Sequence, residues 1–328
     1  MRALQLIGPS QFDLVELPKP VSGADDVLIR VRACGICGSD VHGMDGSTGR
    51  RIPPIIMGHE AAGEVAEDSG KWKKGDRVTF DSTIYCGACD YCQSGQINLC
   101  DNRQVIGVSC KEFHRDGAYA EYVSVPSRVL YRLPDELTYD QAAMVEPVAV
   151  AVHAVRRAKV EAGQRVAVIG AGMIGLFVIQ VLKAKGVSHI AAIDIDPNKL
   201  QLAKEMGADF TGNSSDGMEL DAAIEAVGVS DSVTMAVKSV RKGGTIALVG
   251  NLAPKIEFPL QMVVTRELSV YGCCASQGEY GEALELIASG QVKVDSMISA
   301  RISLEQAPEY FERLHSREPG LMKVIVCP

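Results

Sequence analysis

The first part of the chain alternates apolar and polar residues over short runs, a pattern typical of β-strands buried on one face. Two such runs lie around Leu4 and Ile29. Three more with strand character lie at 63–67, 77–80 and 119–125. Glycine and proline interrupt these runs, and helical periodicity is scarce before residue 138. This part of the chain therefore predicts an antiparallel β domain with long functional loops.

The pattern changes at Thr138, where an alanine-rich stretch predicts a helix. Thr138 with Gln141 three residues later is the signature of a capping box. Pro147 cannot donate a backbone hydrogen bond inside a helix, so we expect two helical segments that meet near Glu146 and Pro147.

From Gly163 onward, short apolar strands alternate with helices. The predicted strands are 165–169, 190–194, 220–225 and 245–249, and the predicted helices are 173–185, 197–206, 230–240 and 280–288. Such alternation predicts a parallel, doubly wound sheet, so the fold class is α/β. The apolar run 322–326 is expected to return to the first domain as a strand.

A glycine-rich turn follows the first strand of this second part. Gly170, Gly172 and Gly175 form G-x-G-x-x-G between a strand and a helix, and Asp194 ends the next strand. Glycines there let a pyrophosphate approach the positive helix N-terminus, and Asp194 would accept from a ribose 2′-hydroxyl and repel a 2′-phosphate. NAD is therefore expected rather than NADP. The alternative is a glycine-rich turn in an unrelated α/β protein.

The predicted cofactor-binding residues combine this turn with positions near the ends of the neighbouring strands. They are Gly170, Gly172, Met173, Ile174, Gly175, Asp194, Lys199, Val227 and Val249. For Lys199, a solvated surface position is an equal alternative to a place in the adenosine pocket.

Four cysteines form the most specific motif of the chain. Cys86, Cys89, Cys92 and Cys100 read C-x2-C-x2-C-x7-C among small and polar neighbours. Four thiolates at this spacing suit a closed tetrahedral zinc, which is typical of a structural site. We expect this zinc to stabilise a protruding lobe.

A second, looser group of metal ligands is formed by Cys37, His59, Glu60 and Glu146. A thiolate, an imidazole and a carboxylate with one open position match a catalytic zinc site. The spacing alone is weak, and a loop His-Glu pair that binds no metal is the alternative.

Composition limits the classes of partner. The chain has 328 residues, 47% of them hydrophobic and 23% charged, with a net charge of −8. This length suits two domains, and the acidic balance argues against nucleic-acid and anionic-membrane partners. Neither a signal-peptide pattern nor a membrane-spanning apolar run is visible, and the clustered cysteines favour metal over disulfides. We therefore expect a cytoplasmic protein.

Several motifs together resemble one family. They are 35–42 (GICGSDVH), 58–63 (GHEAAG), 75–78 (GDRV), the four-cysteine loop, Glu146-Pro147, the glycine-rich turn and 243–245 (GGT). Their order and spacing resemble the zinc-dependent medium-chain alcohol dehydrogenases and are most similar to the sorbitol (polyol) dehydrogenase branch.

The resemblance implies a GroES-like, β-rich, zinc-binding catalytic domain at 1–147, to which 291–328 return, and a Rossmann NAD-binding domain at 148–290. It places the active site between the two domains. It also implies two zinc ions per chain, one catalytic and one structural, and a homodimer or homotetramer.

The resemblance also implies residue roles. Cys37, His59, Glu60 and Glu146 would surround the catalytic zinc, with the direct ligand among the two glutamates left open. Ser39 and His42 match the proton-relay positions. Asp40 would orient His59, and Lys323 falls where some relatives place a cation near that aspartate.

The implied reaction is hydride transfer from a secondary alcohol of a polyol or sugar alcohol to NAD. Threonine 3-dehydrogenase-like and sugar-alcohol-phosphate dehydrogenase activities are alternatives within this chemistry. A zinc- and NAD-binding regulatory protein without turnover is the non-enzymatic alternative. Gly272 to Gln277 contains no arginine, unlike the mammalian-type sorbitol enzymes, so sorbitol itself is not indicated.

Overall fold

The computed structural model describes residues 1–328 and contains twenty strands and ten helices. The strands are β1 (Arg2–Gly8), β2 (Gln11–Glu16), β3 (Asp26–Gly35), β4 (Ile55–Ile56), β5 (Glu60–Val65), β6 (Arg77–Phe80), β7 (Thr83–Ile84), β8 (Gln104–Val105), β9 (Val108–Ser109), β10 (His114–Arg115), β11 (Tyr122–Pro126), β12 (Leu130–Arg132), β13 (Arg165–Ile169), β14 (His189–Ile193), β15 (Phe210–Gly212), β16 (Leu220–Glu225), β17 (Val240–Leu248), β18 (Ser269–Gly272), β19 (Ile298–Ile302) and β20 (Lys323–Val326).

The helices are α1 (Gly38–Gly43), α2 (Asp90–Gln93), α3 (Tyr139–Ala143), α4 (Val145–Arg157), α5 (Met173–Ala184), α6 (Pro197–Glu205), α7 (Ser230–Ser239), α8 (Leu260–Thr265), α9 (Tyr280–Ala288) and α10 (Ala307–His315). None of them combines the length and the apolar character that a membrane crossing requires. The chain divides into two compact units, Met1–Glu146 with Val294–Pro328, and Pro147–Lys293.

The first unit is built on a mostly antiparallel seven-stranded sheet. Its order is β12-β6-β5-β3-β20-β19, and β11 also pairs with β3. A three-stranded sheet, β2-β1-β4, belongs to the same unit. β20 runs antiparallel to β3, so the predicted return of run 322–326 to the first domain is confirmed.

The core of the first unit contains Tyr119, whose hydroxyl contacts Asp40. The ring of Phe311 on α10 packs at 4.7 Å from Phe12 and edge-on at 5.7 Å from Tyr119. Tyr119 is almost fully buried, so its hydroxyl needs an internal partner. It donates to Asp40.

The second unit is a six-stranded, all-parallel sheet in the order β15-β14-β13-β16-β17-β18. Numbered from its first strand, this order is 3-2-1-4-5-6, the Rossmann arrangement. The expected α/β class, a β-rich domain plus a doubly wound parallel sheet, is confirmed.

The structure confirms the capping box at Thr138 and corrects the position of the helix break. Thr138 accepts from the Gln141 N–H, and the Gln141 side chain accepts from the Thr138 N–H. α3 ends before Met144, and α4 already begins at Val145. Pro147 therefore lies in the first turn of α4, where its missing N–H would have no helical partner anyway, and it does not break the helix.

Candidate active site and zinc centres

The four-cysteine motif forms a lobe whose base is closed by a small β ladder. β7 pairs with β8, with Ile84 opposite Gln104, so the intervening loop folds back on itself. The four sulfur atoms lie within 4.8 Å of one another. A tetrahedral zinc with Zn–S bonds of about 2.3 Å needs sulfurs somewhat under 4 Å apart, so this group fits the ion after a small contraction.

Backbone N–H groups surround the sulfurs of this lobe. Cys86 Sγ accepts from the N–H groups of Ala88 and Cys89 at 3.4 Å, and Cys100 Sγ accepts from those of Cys86 and Asn102 at 3.2 and 3.3 Å. The bonds from Ala88 and Cys89 lower the pKa of the Cys86 thiol to about 6. Donors aimed at sulfur stabilise the thiolate that a metal binds, so the local backbone is arranged for zinc.

The second cluster is assembled by two paired strands. β3 and β5 run antiparallel, with Gly35 opposite Glu60. Cys37 follows the end of β3, and His59 precedes the start of β5, so the pairing brings them to one place. The donor atoms of Cys37, His59 and Glu60 lie within 4.8 Å of one another. A thiolate, an imidazole and a carboxylate at this separation can hold a zinc ion and leave one position open.

His59 is buried and has a carboxylate beside one ring nitrogen. Its Nδ1 lies 3.4 Å from Asp40 Oδ2 and makes no closer polar contact. Burial lowers the pKa of His59, but the negative charges of Asp40 and Cys37 outweigh it and raise this pKa well above its ordinary value. The cluster therefore favours positive charge at the imidazole, as expected of a cation site, and Nε2 is the nitrogen that remains for a metal.

Glu60 forms a buried ion pair with Lys323. The Lys323 ammonium donates to Glu60 Oε2 and, at 3.0 Å, to the Ile36 carbonyl. Burial lowers the pKa of Lys323, and the charges of Glu60 and Cys37 more than reverse this effect. Lys323, at the start of β20, pairs with Glu60 rather than with Asp40, and Arg51 is the cation that contacts Asp40.

Lys323→Met is expected to destabilise the first unit by about 3 kcal/mol. This is the lower end for a broken buried pair, because Glu60 can take up a proton when its cation is lost. Chemical denaturation followed through Trp72, the single tryptophan, measures the effect. The double variant Lys323→Met/Glu60→Gln should recover part of the loss. An unchanged denaturation midpoint in the single variant would contradict the prediction.

Glu146 is half-buried at the first turn of α4 and is not part of the 4.8 Å group. Burial raises its pKa to about 7, with a further contribution from Glu60, while His59 opposes the shift. The charges of His59 and Glu60 therefore affect the pKa of Glu146. The three ligand atoms that converge are nevertheless those of Cys37, His59 and Glu60.

Ser39 and His42 lie on α1, three residues apart and both exposed. The Ser39 hydroxyl donates to Cys37 Sγ at 3.3 Å. Residues at this spacing share one helix face. The two predicted relay groups therefore lie on the same face of α1, the helix that Cys37 caps.

The glycine-rich turn of the second unit is as compact as its motif requires. Gly170 has φ +96°, and a Cβ at Gly175 would lie 1.8 Å from the Gly170 carbonyl oxygen. A Cβ at Gly172, which caps α5, would meet nothing within 4 Å, so this side of the turn is open. The start of α5 can therefore receive an anionic group through an uncovered backbone.

Two carboxylates fix the loops around this turn. Asp194 Oδ2 accepts from the Ala171 N–H at 2.7 Å. Glu225, fully buried at the end of β16, accepts from the N–H groups of Val227 and Gly228 at 2.8 and 2.7 Å. A Cβ at Gly170 would lie 2.5 Å from Val227, so the loop after β16 lies against the glycine turn. Met173 and Ile174 begin α5, and Val249 follows β17. All three are partly buried, as is Lys199 on α6.

Comparison with known families decides the assignment. The model of the alcohol dehydrogenase GroES-like domain matches residues 23–135, and that of the zinc-binding dehydrogenase matches 174–289. The chain belongs to the zinc-binding alcohol dehydrogenase family.

Individual relatives cover this dehydrogenase from end to end. The sorbitol dehydrogenase of Bacillus subtilis (strain 168) is 34% identical over 100% of the chain and 97% of its own length. The D-arabitol-phosphate dehydrogenase of Enterococcus avium is 34% identical over 98% and 95%. A zinc-binding dehydrogenase fold from Sinorhizobium meliloti 1021, solved bound to NADP, superposes with a TM-score of 0.90 at 33% identity, covering 100% and 99%.

These findings establish the cofactor classes of this dehydrogenase. Its family binds zinc, its four-cysteine cluster fits a structural zinc, and a structural neighbour contains a nicotinamide dinucleotide. The sequence indicated these groups in advance. It did not indicate Tyr119, Glu225 or the contact of Arg51 with Asp40, because each depends on a contact that only the folded chain creates.

Proposed function

We propose that this dehydrogenase oxidises a secondary alcohol of a polyol with NAD. The observation that carries the proposal is the convergence of Cys37, His59 and Glu60, with the Ser39 hydroxyl 3.3 Å from the Cys37 sulfur. A regulatory protein that only bound zinc and a dinucleotide would not need an exposed hydroxyl beside an incompletely coordinated ligand set.

The catalytic zinc would be held by Cys37, His59 and Glu60. Glu146 would influence this site through its charge. Bound there, zinc supplies a Lewis acid that lowers the pKa of the substrate hydroxyl. Asp40 keeps the imidazole of His59 in the required orientation from its Nδ1 side.

The remaining steps belong to the protein and the dinucleotide. Ser39 takes the proton that leaves the substrate hydroxyl and passes its own proton to His42, which is exposed and can deliver it to water. Bound at the glycine-rich turn, NAD would supply the acceptor for the hydride released when the carbinol C–H bond breaks with both electrons. The products are a ketone, NADH and one proton, so charge and electrons balance.

NAD is favoured over NADP by the charge at the end of β14. Asp194 receives the Ala171 N–H through one oxygen and the Asp196 N–H through the other, so its carboxylate is held at the mouth of the turn. A negative charge there disfavours a 2′-phosphate. The Sinorhizobium meliloti neighbour was solved with NADP, and the ratio of kcat/KM with NAD to that with NADP tests the preference of this chain.

A polyol is the favoured substrate class because the relatives named above act on sorbitol and on arabitol phosphate. Phosphorylated sugar alcohols are the second candidate, since the Enterococcus avium enzyme is equally identical at 34%. L-Threonine remains a third, by the resemblance of the motifs.

A substrate panel on protein of known zinc content tests the proposal. Free polyols, phosphorylated polyols and threonine are compared by kcat/KM with NAD and with NADP. We expect at least one free polyol to reduce NAD with the highest kcat/KM. Reduction by phosphorylated polyols alone would favour the second candidate, and the absence of turnover with every compound would favour the regulatory alternative.

We also propose that the protein is cytoplasmic and forms a homodimer or homotetramer. α8 exposes Leu260 and Val264, which are 62% and 65% accessible, beside β18, an edge strand of the parallel sheet. Exposed apolar side chains next to an open edge favour association with a second copy. A sedimentation mass of a single chain would exclude the oligomer.

A further inference from the structure

Arg51 is a buried cation that the motifs of the chain do not explain. It is 4% exposed, although it lies in a polar loop rich in glycine and serine. Its Nε and Nη2 both donate to Asp40 Oδ1, at 2.9 and 2.6 Å. Asp40 is fully buried, and this guanidinium is the cation that hydrogen-bonds directly to it.

The two oxygens of Asp40 have different partners. Oδ1 faces only the Arg51 fork, whereas Oδ2 accepts from the Tyr119 hydroxyl at 3.0 Å and lies 3.4 Å from His59 Nδ1. A planar fork bound to one oxygen restricts rotation of the carboxylate about its own axis. Arg51 at Oδ1 and Tyr119 at Oδ2 therefore together hold the carboxylate with one oxygen towards His59.

The same guanidinium reaches the other side of the cluster. Arg51 Nη2 also donates to the Ser39 hydroxyl oxygen at 3.3 Å, and Ser39 in turn donates to Cys37 Sγ at 3.3 Å. One side chain thus contacts the polar neighbours of two proposed ligands, His59 through Asp40 and Cys37 through Ser39.

The local chain is shaped to admit Arg51 in this position. Its Nη1 donates to the Arg50 carbonyl at 3.0 Å. Gly43 ends α1 directly against it, and a Cβ at Gly43 would lie 2.8 Å from Arg51 Cγ. A larger residue at Gly43 would force the Arg51 side chain to move.

We propose that Arg51 is a positioning residue for the metal cluster, which orients Asp40 towards His59 and holds Ser39 beside Cys37. The proposal rests on the assignment of Cys37, His59 and Glu60 as zinc ligands. Charge alone does not fulfil the role, because lysine has no planar fork and cannot reach Asp40 and Ser39 in the same geometry.

The test compares Arg51→Lys, which keeps the charge, with Gly43→Ala, which keeps the arginine but displaces its side chain. Arg50→Met is the control, since Arg50 is the neighbouring exposed arginine and no hydrogen bond of its side chain is seen. Zinc release to a chelator is followed by the zinc lost per chain, with the four-cysteine zinc as the internal reference. Substrate kcat and NADH affinity are measured on the same preparations.

Arg51→Lys is expected to speed zinc loss from the cluster or to lower kcat by about 10- to 100-fold, the usual effect of losing a partner of metal ligands. Gly43→Ala should act in the same direction and less strongly. Arg50→Met should resemble the wild type, and NADH affinity should not change in any variant.

Wild-type zinc release and kcat in Arg51→Lys would overturn the proposal, as would an equal change in Arg50→Met. If Arg51→Lys does not fold, Gly43→Ala decides, and wild-type behaviour there overturns it. A wild type without any alcohol turnover would refute the proposed function. The zinc-release comparison would still test the positioning role of Arg51.

Discussion

Cys37→Ser is expected to lower kcat for alcohol oxidation by at least about 10³-fold, because a Lewis-acid zinc supplies several kcal/mol of stabilisation and each 1.4 kcal/mol is tenfold in rate. A serine hydroxyl is not ionised near neutral pH and is a poor replacement for a thiolate ligand. The change also removes the sulfur that accepts the Ser39 hydrogen bond. Steady-state kinetics with the best polyol of the panel, together with zinc analysis, measure the effect.

Two comparisons make this result specific. Cys327→Ser alters an exposed cysteine outside both clusters and should keep wild-type kcat. Dinucleotide binding by Cys37→Ser, measured by NADH fluorescence, should also be unchanged, because the glycine-rich turn lies in the other unit. Turnover that survives Cys37→Ser would refute the assignment of this cluster as the catalytic metal site.

Cys92→Ser is expected to destabilise the first unit by about 4–5 kcal/mol, a size characteristic of a lost metal site. For a unit of this size, that loss corresponds to a melting temperature lower by roughly 10 °C. The lobe between β7 and β8 contains only short helical turns and few buried side chains, so the metal replaces a hydrophobic core there. Calorimetry and Trp72 fluorescence measure the change.

The two cysteine variants should give opposite profiles. Cys92→Ser at a temperature where it remains folded should retain most of its kcat, whereas Cys37→Ser should melt close to the wild type. Zinc analysis should find one ion fewer in each. A Cys92→Ser protein with normal melting and no hydride transfer would show that the catalytic and structural assignments must be exchanged.

The features that the sequence predicted well are those specified by local spacing. The Rossmann sheet could be predicted from two features. One is the glycine turn with a strand before it and a helix after it, and the other is the strand–helix alternation. The four cysteines lie so close along the chain that little besides their own loop determines their convergence. The capping box of α3 was equally visible, because both partners are three residues apart.

The features that could not be predicted depend on long-range pairing. Cys37 meets His59 because β3 pairs with β5, and Lys323 meets Glu60 because β20 is added beside β3. The burial of Arg51 against Asp40 could not be predicted, since an arginine in a polar loop is normally solvated. Pro147 was misjudged for a local reason: the helix restarts just before it, which makes its position the first turn of a new helix.

The insertion of the dinucleotide unit between the two segments of the first unit has a consequence for the order of assembly during translation. Glu60 leaves the ribosome early, but Lys323 appears only after the whole of Pro147–Lys293 has been synthesised. Until then the Glu60 carboxylate lacks the lysine that pairs with it in the interior, and burial without that partner is costly. The contiguous Rossmann unit can therefore fold first, and the metal cluster reaches its final electrostatic balance only when the two distant segments are joined.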